Sequence, residues 1–234
     1  MKAEEEDFWY ICGDNSLETA NYKNKNVYWG INDMTDAEKL LGKKKVYKNE
    51  MDKELPKDQS DRIWKQAAIR LDDILKKYDP LPKGVQMHAE RIFPSAAVYL
   101  SLKEEIDADK AYNIMEKATY GRCRSIAGKL ANVMKLPGMK SLFVSVWNPL
   151  TKKVFGPNNG FKNVFYDNKK GEYKMDVTFC PYFRYFTELG CPELTKISCK
   201  SDDLIYGNLP GIKFERKGTL GRGNDHCDFY IKKI

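Results

Sequence analysis

The stretch FKNVFYDNKKGEYKMDVTF, Phe161–Phe179, decides how this chain is read. Two candidate arms, Phe161–Tyr166 and Glu172–Phe179, flank Asp167-Asn168-Lys169-Lys170-Gly171, a run of turn formers. In the second arm Tyr173, Met175, Val177 and Phe179 alternate with polar residues. Alternation at period two marks a strand with one buried face, so the stretch predicts an antiparallel hairpin.

Upstream the period is helical. Ile63, Ala67, Ala68, Ile69, Ile74 and Leu75 predict a helix from about residue 61, closed by Pro80 and Pro82. A second helix is expected over Val85–Leu102, with Pro94 as a kink or interruption. A third runs from about Ala108 to Met134, with Ile114, Met115, Ala118, Ile126, Leu130 and Met134 on one stripe. Gly121 and Gly128 would permit close helix contacts there, and Pro137-Gly138 ends it. Leu142–Trp147, closed by Asn148-Pro149, reads as a strand. Downstream, short helices are expected over Tyr182–Leu189 and Glu193–Tyr206, and strands over Ile212–Thr219 and Cys227–Lys232. Helices first and a mainly antiparallel sheet with inserted helices second give an α+β fold. The reading places a single domain at 61–234, helical over 61–138, with sheet and site over 139–234.

Residues 1–60 read as an N-terminal extension or arm. Gly13–Asn32 is polar and Asn-rich, with Trp9, Tyr10, Tyr22, Tyr28 and Trp29 in or just before it. So many aromatic residues argue against plain disorder. A short helix is expected over Thr35–Leu41, with Thr35 and Glu38 in capping-box spacing. Such an arm would lie on its own domain or on a neighbouring subunit, so a homo-oligomer is one expected partnership.

The composition, 42% hydrophobic and 31% charged, is that of a globular protein. The net charge of +7 is spread over scattered lysines without a recognition motif, which argues against nucleic acid and fits a small anionic substrate. Six cysteines are too few for a disulfide scaffold in 234 residues. The opening Met1-Lys2-Ala3-Glu4-Glu5-Glu6-Asp7 lacks an apolar core, and no run is long enough for a bilayer. A cytoplasmic protein with reduced thiols and no membrane partner is expected.

Chemistry concentrates between Cys180 and Cys227, which hold four of the six cysteines and one of the two histidines. If residues 193–206 are helical, Cys199 and Asp202 share a face. In a strand, His226 and Asp228 would face one way and Cys227 the other, unless the glycines at 221 and 223 distort the strand start. Cys180-Pro181 and Cys191-Pro192 fit helix N-caps, where the dipole favours thiolate. His88, the other imidazole, is a capping or buried structural residue or an acid/base. Arg184, Arg216 and Arg222 are surface charges or, in one case, the fork for a substrate carboxylate.

The series Cys180-Pro181, Gly190-Cys191-Pro192-Glu193-Leu194, Cys199-x-x-Asp202, Phe214-x-Arg216, Thr219-Leu220 and Gly223-x-x-x-Cys227-Asp228-Phe229 resembles the L-2-amino-thiazoline-4-carboxylic acid hydrolase family. The likeness covers roughly residues 85–232 and is most specific from about 178 onward. After Arg216 the family often has Thr, where this chain has Lys217. The resemblance implies a hydrolase acting on carbon–nitrogen bonds of cyclic amidines, adding water to the C=N carbon of a thiazoline carboxylate to give an N-carbamoyl-cysteine. Residue chemistry then suggests Cys199 as nucleophile or ligand, Asp202 as its partner, His226 or His88 as acid/base, and Cys227 beside them. Arg216 or Arg222, with Cys180 and Cys191, would line the substrate. The thiol reading requires no cofactor, and zinc is a candidate ligand. The topology is also similar to vinyl-reductase and haem-nitric-oxide-binding ligand domains, which leaves a small-ligand or zinc-binding sensor module, or an inactive structural relative, as alternatives.

Overall fold

The computed structural model describes residues 35–234. The aromatic, Asn-rich stretch at 13–32 lies outside the described residues, as does any subunit contact made through it. Eight α-helices and one four-stranded sheet are present among the described residues. The α+β expectation holds.

Helix α1 (Asp36–Gly42) starts on the expected capping box: Glu38 N–H donates to Thr35 Oγ1 at 3.2 Å, and Thr35 N–H donates to Glu38 Oε2 at 2.7 Å. An unanticipated helix, α2 (Lys45–Glu54), follows and buries Tyr47 and Met51. Helix α3 (Lys57–Tyr78) buries Ser60, Ile63, Ala67, Leu71 and Ile74 at helical spacing. Ile69, placed on that stripe from the sequence, is 59% exposed instead; Leu71 fills the face that meets the core.

Helix α4 (Lys83–Glu105) runs unbroken through buried Pro94. It is apolar around most of its circumference and lies at the centre of the helical layer, packed on α3 and on α5 (Ala108–Met134). Asp107 caps α5 by accepting from the amides of Asp109 and Lys110. Gly121 and Gly128 have nothing within 4 Å of a would-be Cβ, so they do not mediate the close helix contacts expected of them.

Residues 142–147 are not a strand. Helix α6 (Met139–Val154) begins after Gly138, whose φ of 82° turns the chain from α5. It buries Phe143, Val144, Trp147, Thr151 and Val154, a period near 3.6 that a strand could not present to one core.

The hairpin is as expected: β1 (Lys162–Phe165) pairs antiparallel with β2 (Glu172–Phe179). Helices α7 (Pro181–Glu188) and α8 (Leu194–Tyr206) separate β2 from β3 (Ile212–Glu215), and β4 (Cys227–Lys233) ends the chain. The sheet order is β1-β2-β4-β3, with every neighbour antiparallel. The strand expected to reach Thr219 stops at Glu215, where Arg216 turns away to bind carboxylates of α8.

Two apolar clusters form. One joins α1–α5 with α7 and α8, and the other joins α6, the end of α5 and the inner face of the sheet. Tyr182 packs against both. No described helix is long and apolar enough to cross a membrane.

Candidate active site

The seam between α8 and the start of β4 holds the thiols. Cys199 and Cys227 are neighbouring thiols whose ionisations act on one another. Both are free, Cys227 buried and Cys199 half-buried. The first proton is lost from Cys199: the Cys227 S–H donor lowers its pKa, burial opposes this, and Arg216 assists while Asp202 raises it. The second proton is held more tightly by Cys227, because the shared hydrogen bond and burial both penalise a second thiolate. Leu220 N–H donates to Cys227 Sγ at 3.2 Å and fixes that sulfur.

The turn that closes over the thiols depends on a glycine. A Cβ at Gly221 would lie 2.8 Å from Thr195 Cγ2 and 3.1 Å from Cys199 Sγ, so only a bare backbone can approach the sulfur. Two hydroxyls adjoin this seam, Thr195 and Thr219, at 1% and 0% exposure, and neither finds a well-formed hydrogen bond. Thr219 Oγ1 nevertheless lies close enough to Cys199 to favour its thiolate. Buried hydroxyls without partners are rare, and beside an ionisable thiol they are donors waiting for charge.

Asp202, three residues after Cys199 on α8, keeps 35% of its side-chain exposure, yet desolvation raises its carboxyl pKa against the pull of Arg216. Desolvation by the surrounding protein thus favours the protonated carboxyl while part of the side chain still meets solvent. Arg216 is 1% exposed and its fork is occupied: Nη1 donates to Asp202 Oδ2 at 2.7 Å, and Nη2 donates to Asp203 Oδ1 at 2.6 Å and to Cys199 O. Its guanidinium lies over the rings of Phe229 and Phe214, at 5.0 and 5.7 Å. Arg216 therefore sets the field around Cys199 and Asp202; its Nε is buried without a partner, and at 1% exposure it is closed to a substrate carboxylate. Arg222 Nη2 donates to Asp203 Oδ2 at 3.1 Å and stays at the surface.

The structure brings neither histidine into hydrogen bonding with the thiols. His226 is 39% exposed on the opposite sheet face, with Nδ1 2.6 Å from Asp225 Oδ1. Its side chain alternates with Cys227 as the strand period requires, and the neighbouring glycines do not override that. His88, 1% exposed, donates Nε2–H to Val154 O at 2.9 Å, which leaves Nδ1 to accept from the Tyr182 hydroxyl at 3.4 Å. Burial lowers its pKa to about 4, so it is neutral.

Cys180 is the N-cap of α7, with Pro181 at N1, but desolvation outweighs the amides of Phe183 and Tyr182 and pushes its thiol up to about 12. Cys191 is fully buried, also pushed to about 12 by burial, and precedes α8 by a turn instead of capping it; the N-cap is Glu193. Arg184 donates to Glu188 at the surface. Asp228, two residues beyond His226, accepts from the amides of Lys217 and Gly218, at 2.9 and 2.7 Å, and pins the loop before Thr219. Among the described residues no three His, Cys, Asp or Glu side chains group to hold a metal ion, so the zinc-sensor alternative finds no ligand set there.

Sequence reasoning missed Thr195, whose buried hydroxyl adjoins the thiols and finds no hydrogen-bond partner. A surface cleft of about 580 Å³ between the α3–α4 turn and Pro157 shares no lining residue with this site.

The family model for L-2-amino-thiazoline-4-carboxylic acid hydrolase matches residues 86–231. No curated protein and no solved structure matches the chain.

Proposed function

The chain belongs to the L-2-amino-thiazoline-4-carboxylic acid hydrolase family, and on that footing we propose that it hydrolyses a cyclic amidine or thiazoline-like ring in a small carboxylate, with Cys199 as nucleophile. The observation that carries this reading is the thiol pair: Cys199 is made acidic by the Cys227 S–H, three residues from a carboxyl that desolvation keeps protonatable. The Cys199 thiolate adds to the amidine carbon, whose electron pair moves to the ring nitrogen. For the N-carbamoyl product both nitrogens stay on that carbon, so the ring carbon–sulfur bond must break, and the departing sulfur takes the Asp202 proton. Water then attacks the enzyme-bound carbon, Asp202 takes its proton, and Cys199 leaves as a thiolate stabilised by Cys227. Cleavage of the ring carbon–nitrogen bond would instead leave an S-carbamoyl product with a free amine.

This assigns the acid/base role to Asp202, since neither imidazole bonds the thiols. Incubating the protein with 2-aminothiazoline-4-carboxylate and titrating released thiol tests the reading and names the bond. New thiol marks carbon–sulfur cleavage, and new primary amine without thiol marks carbon–nitrogen cleavage. Cys199→Ser should abolish either product while leaving the melting temperature within a few degrees. Full activity in Cys199→Ser would end the nucleophile reading.

A further inference from the structure

The cleft of about 580 Å³ between the α3–α4 turn and Pro157 has the volume of a small-molecule site and walls of aromatic and proline rings. Tyr185, 5% exposed, meets Phe93 edge-on at 5.4 Å. Tyr78 stacks on Phe93 at 5.0 Å and meets Tyr185 edge-on at 5.2 Å, so the three rings tie this wall to the core. The wall at Pro157 is held as firmly. A Cβ at Gly84 would lie 2.2 Å from Asn158 O, so the turn Pro157–Asn159 sits directly on the start of α4. Asn159 Nδ2 donates to the carbonyls of Lys153 and Val154 at 2.6 and 2.5 Å and anchors that turn. A cleft with walls already fixed loses little freedom when a ligand enters.

Two cations line the cleft, Lys77 from the last turn of α3 and Arg184 from α7. Arg184 donates Nε–H to Glu188 Oε1 at 2.7 Å, and the Tyr78 hydroxyl donates to Glu188 Oε2 at 3.0 Å. One carboxylate thus orients both lining side chains. The Nη groups of Arg184 have no protein partner among the described residues, and Lys77 makes no ion pair there. Each cation lies over a ring of the wall, Lys77 Nζ 5.2 Å from the Tyr78 centroid and the Arg184 guanidinium 5.1 Å from that of Tyr185. Cations seated on rings with donors unspent suit an anionic group carried on a flat apolar body.

We propose that this cleft binds a small aromatic monocarboxylate, its ring against the tyrosines and prolines and its carboxylate on Arg184 Nη and Lys77 Nζ. The open Nη edge of a guanidinium matches the two oxygens of a carboxylate, and the ammonium adds a second charge without a fixed direction. Asp79, the one acid on the lining, disfavours a ligand with two negative charges. The site stands apart from the hydrolase reading, because its lining includes none of Cys199, Asp202 and Cys227.

Titration of the intact protein with 2-naphthoate and with its neutral amide, 2-naphthamide, followed by ligand-observed NMR, tests it without requiring turnover. The acid should saturate with a dissociation constant of about 1 mM or lower and bind about fivefold or more tighter than the amide. Lys77→Gln combined with Arg184→Gln should erase that preference and leave amide binding unchanged. Arg62→Gln combined with Lys65→Gln removes the same charge about 18 Å or more from Lys77 along α3 and should leave the preference intact. Saturating 2-naphthoate should also leave the rate of Cys199 alkylation by iodoacetamide unchanged. Weaker binding of the acid, equal affinities for acid and amide, or a preference that survives the cleft variant overturns the proposal. So does the same loss in the remote variant, or protection of Cys199 that follows the binding curve and seats the ligand on the thiols.

Discussion

At the residue scale the thiol pair decides the chemistry. Cys199 should alkylate with a pH midpoint below the ordinary cysteine range of about 8.5, because the Cys227 S–H stabilises its thiolate. Cys227→Ala removes that donor, so the midpoint should rise by about one unit or more and the rate at pH 7 should fall by roughly tenfold. An unchanged midpoint would show that the pair is not coupled. Gly221→Ala tests the turn above the sulfur. Its Cβ would crowd Thr195 and Cys199, so we expect a loss of about 1–3 kcal/mol in denaturant unfolding, or a displaced turn that slows alkylation. A variant as stable and as reactive as the parent would mean the turn yields freely. That Cys199 and Asp202 share one helix was legible from spacing, while Cys227 entered through the family resemblance. That Arg216 would be buried on carboxylates was not legible, because its partners come from across the fold and not from any local pattern.

At the element scale α8 and the segment after β3 behave as one unit, tied by Arg216 to Asp202 and Asp203. Removing a buried cation leaves its carboxylates uncompensated. Arg216→Met should therefore cost about 2–4 kcal/mol, less than a fully buried pair would because both carboxylates keep some solvent contact. A loss under about 1 kcal/mol by chemical denaturation would return Arg216 to a minor role. Helix α6 shows why an element can be misread. Leu142–Trp147 is rich in β-branched and aromatic residues, yet Leu142 is 48% exposed while Phe143 and Val144 are both buried. Adjacent buried residues followed by Trp147 and Thr151 belong to a helix, and only the position of the sheet beneath makes that stripe the inner one.

At the scale of the whole molecule, His88 links the helical layer to the sheet layer through Val154 and Tyr182. Its pKa is about 4 in the fold against 6.5 in a free chain, so between those values the unfolded state binds more protons. Its contribution is present above pH 6.5 and lost as pH falls towards 4, with a full amplitude on the order of 3 kcal/mol. Unfolding free energies at pH 7 and pH 5 should show the decline, and His88→Phe should flatten it. The same slope in that variant would assign the acid sensitivity to other groups.

The order of periodicities along the chain, helical and then alternating about the turn at 167–171, by itself determined the α+β class, the hairpin and the place of Cys199 and Asp202 on one helix, because these depend on contacts a few residues apart. Tertiary structure alone decided the rest. It made residues 142–147 a helix, withdrew both histidines from the thiols, desolvated Cys180 and Cys191 past any gain from a helix dipole, and set two carboxylates on the guanidinium of Arg216. Burial and charge pairing are set by which distant elements meet, and no window of sequence contains both partners.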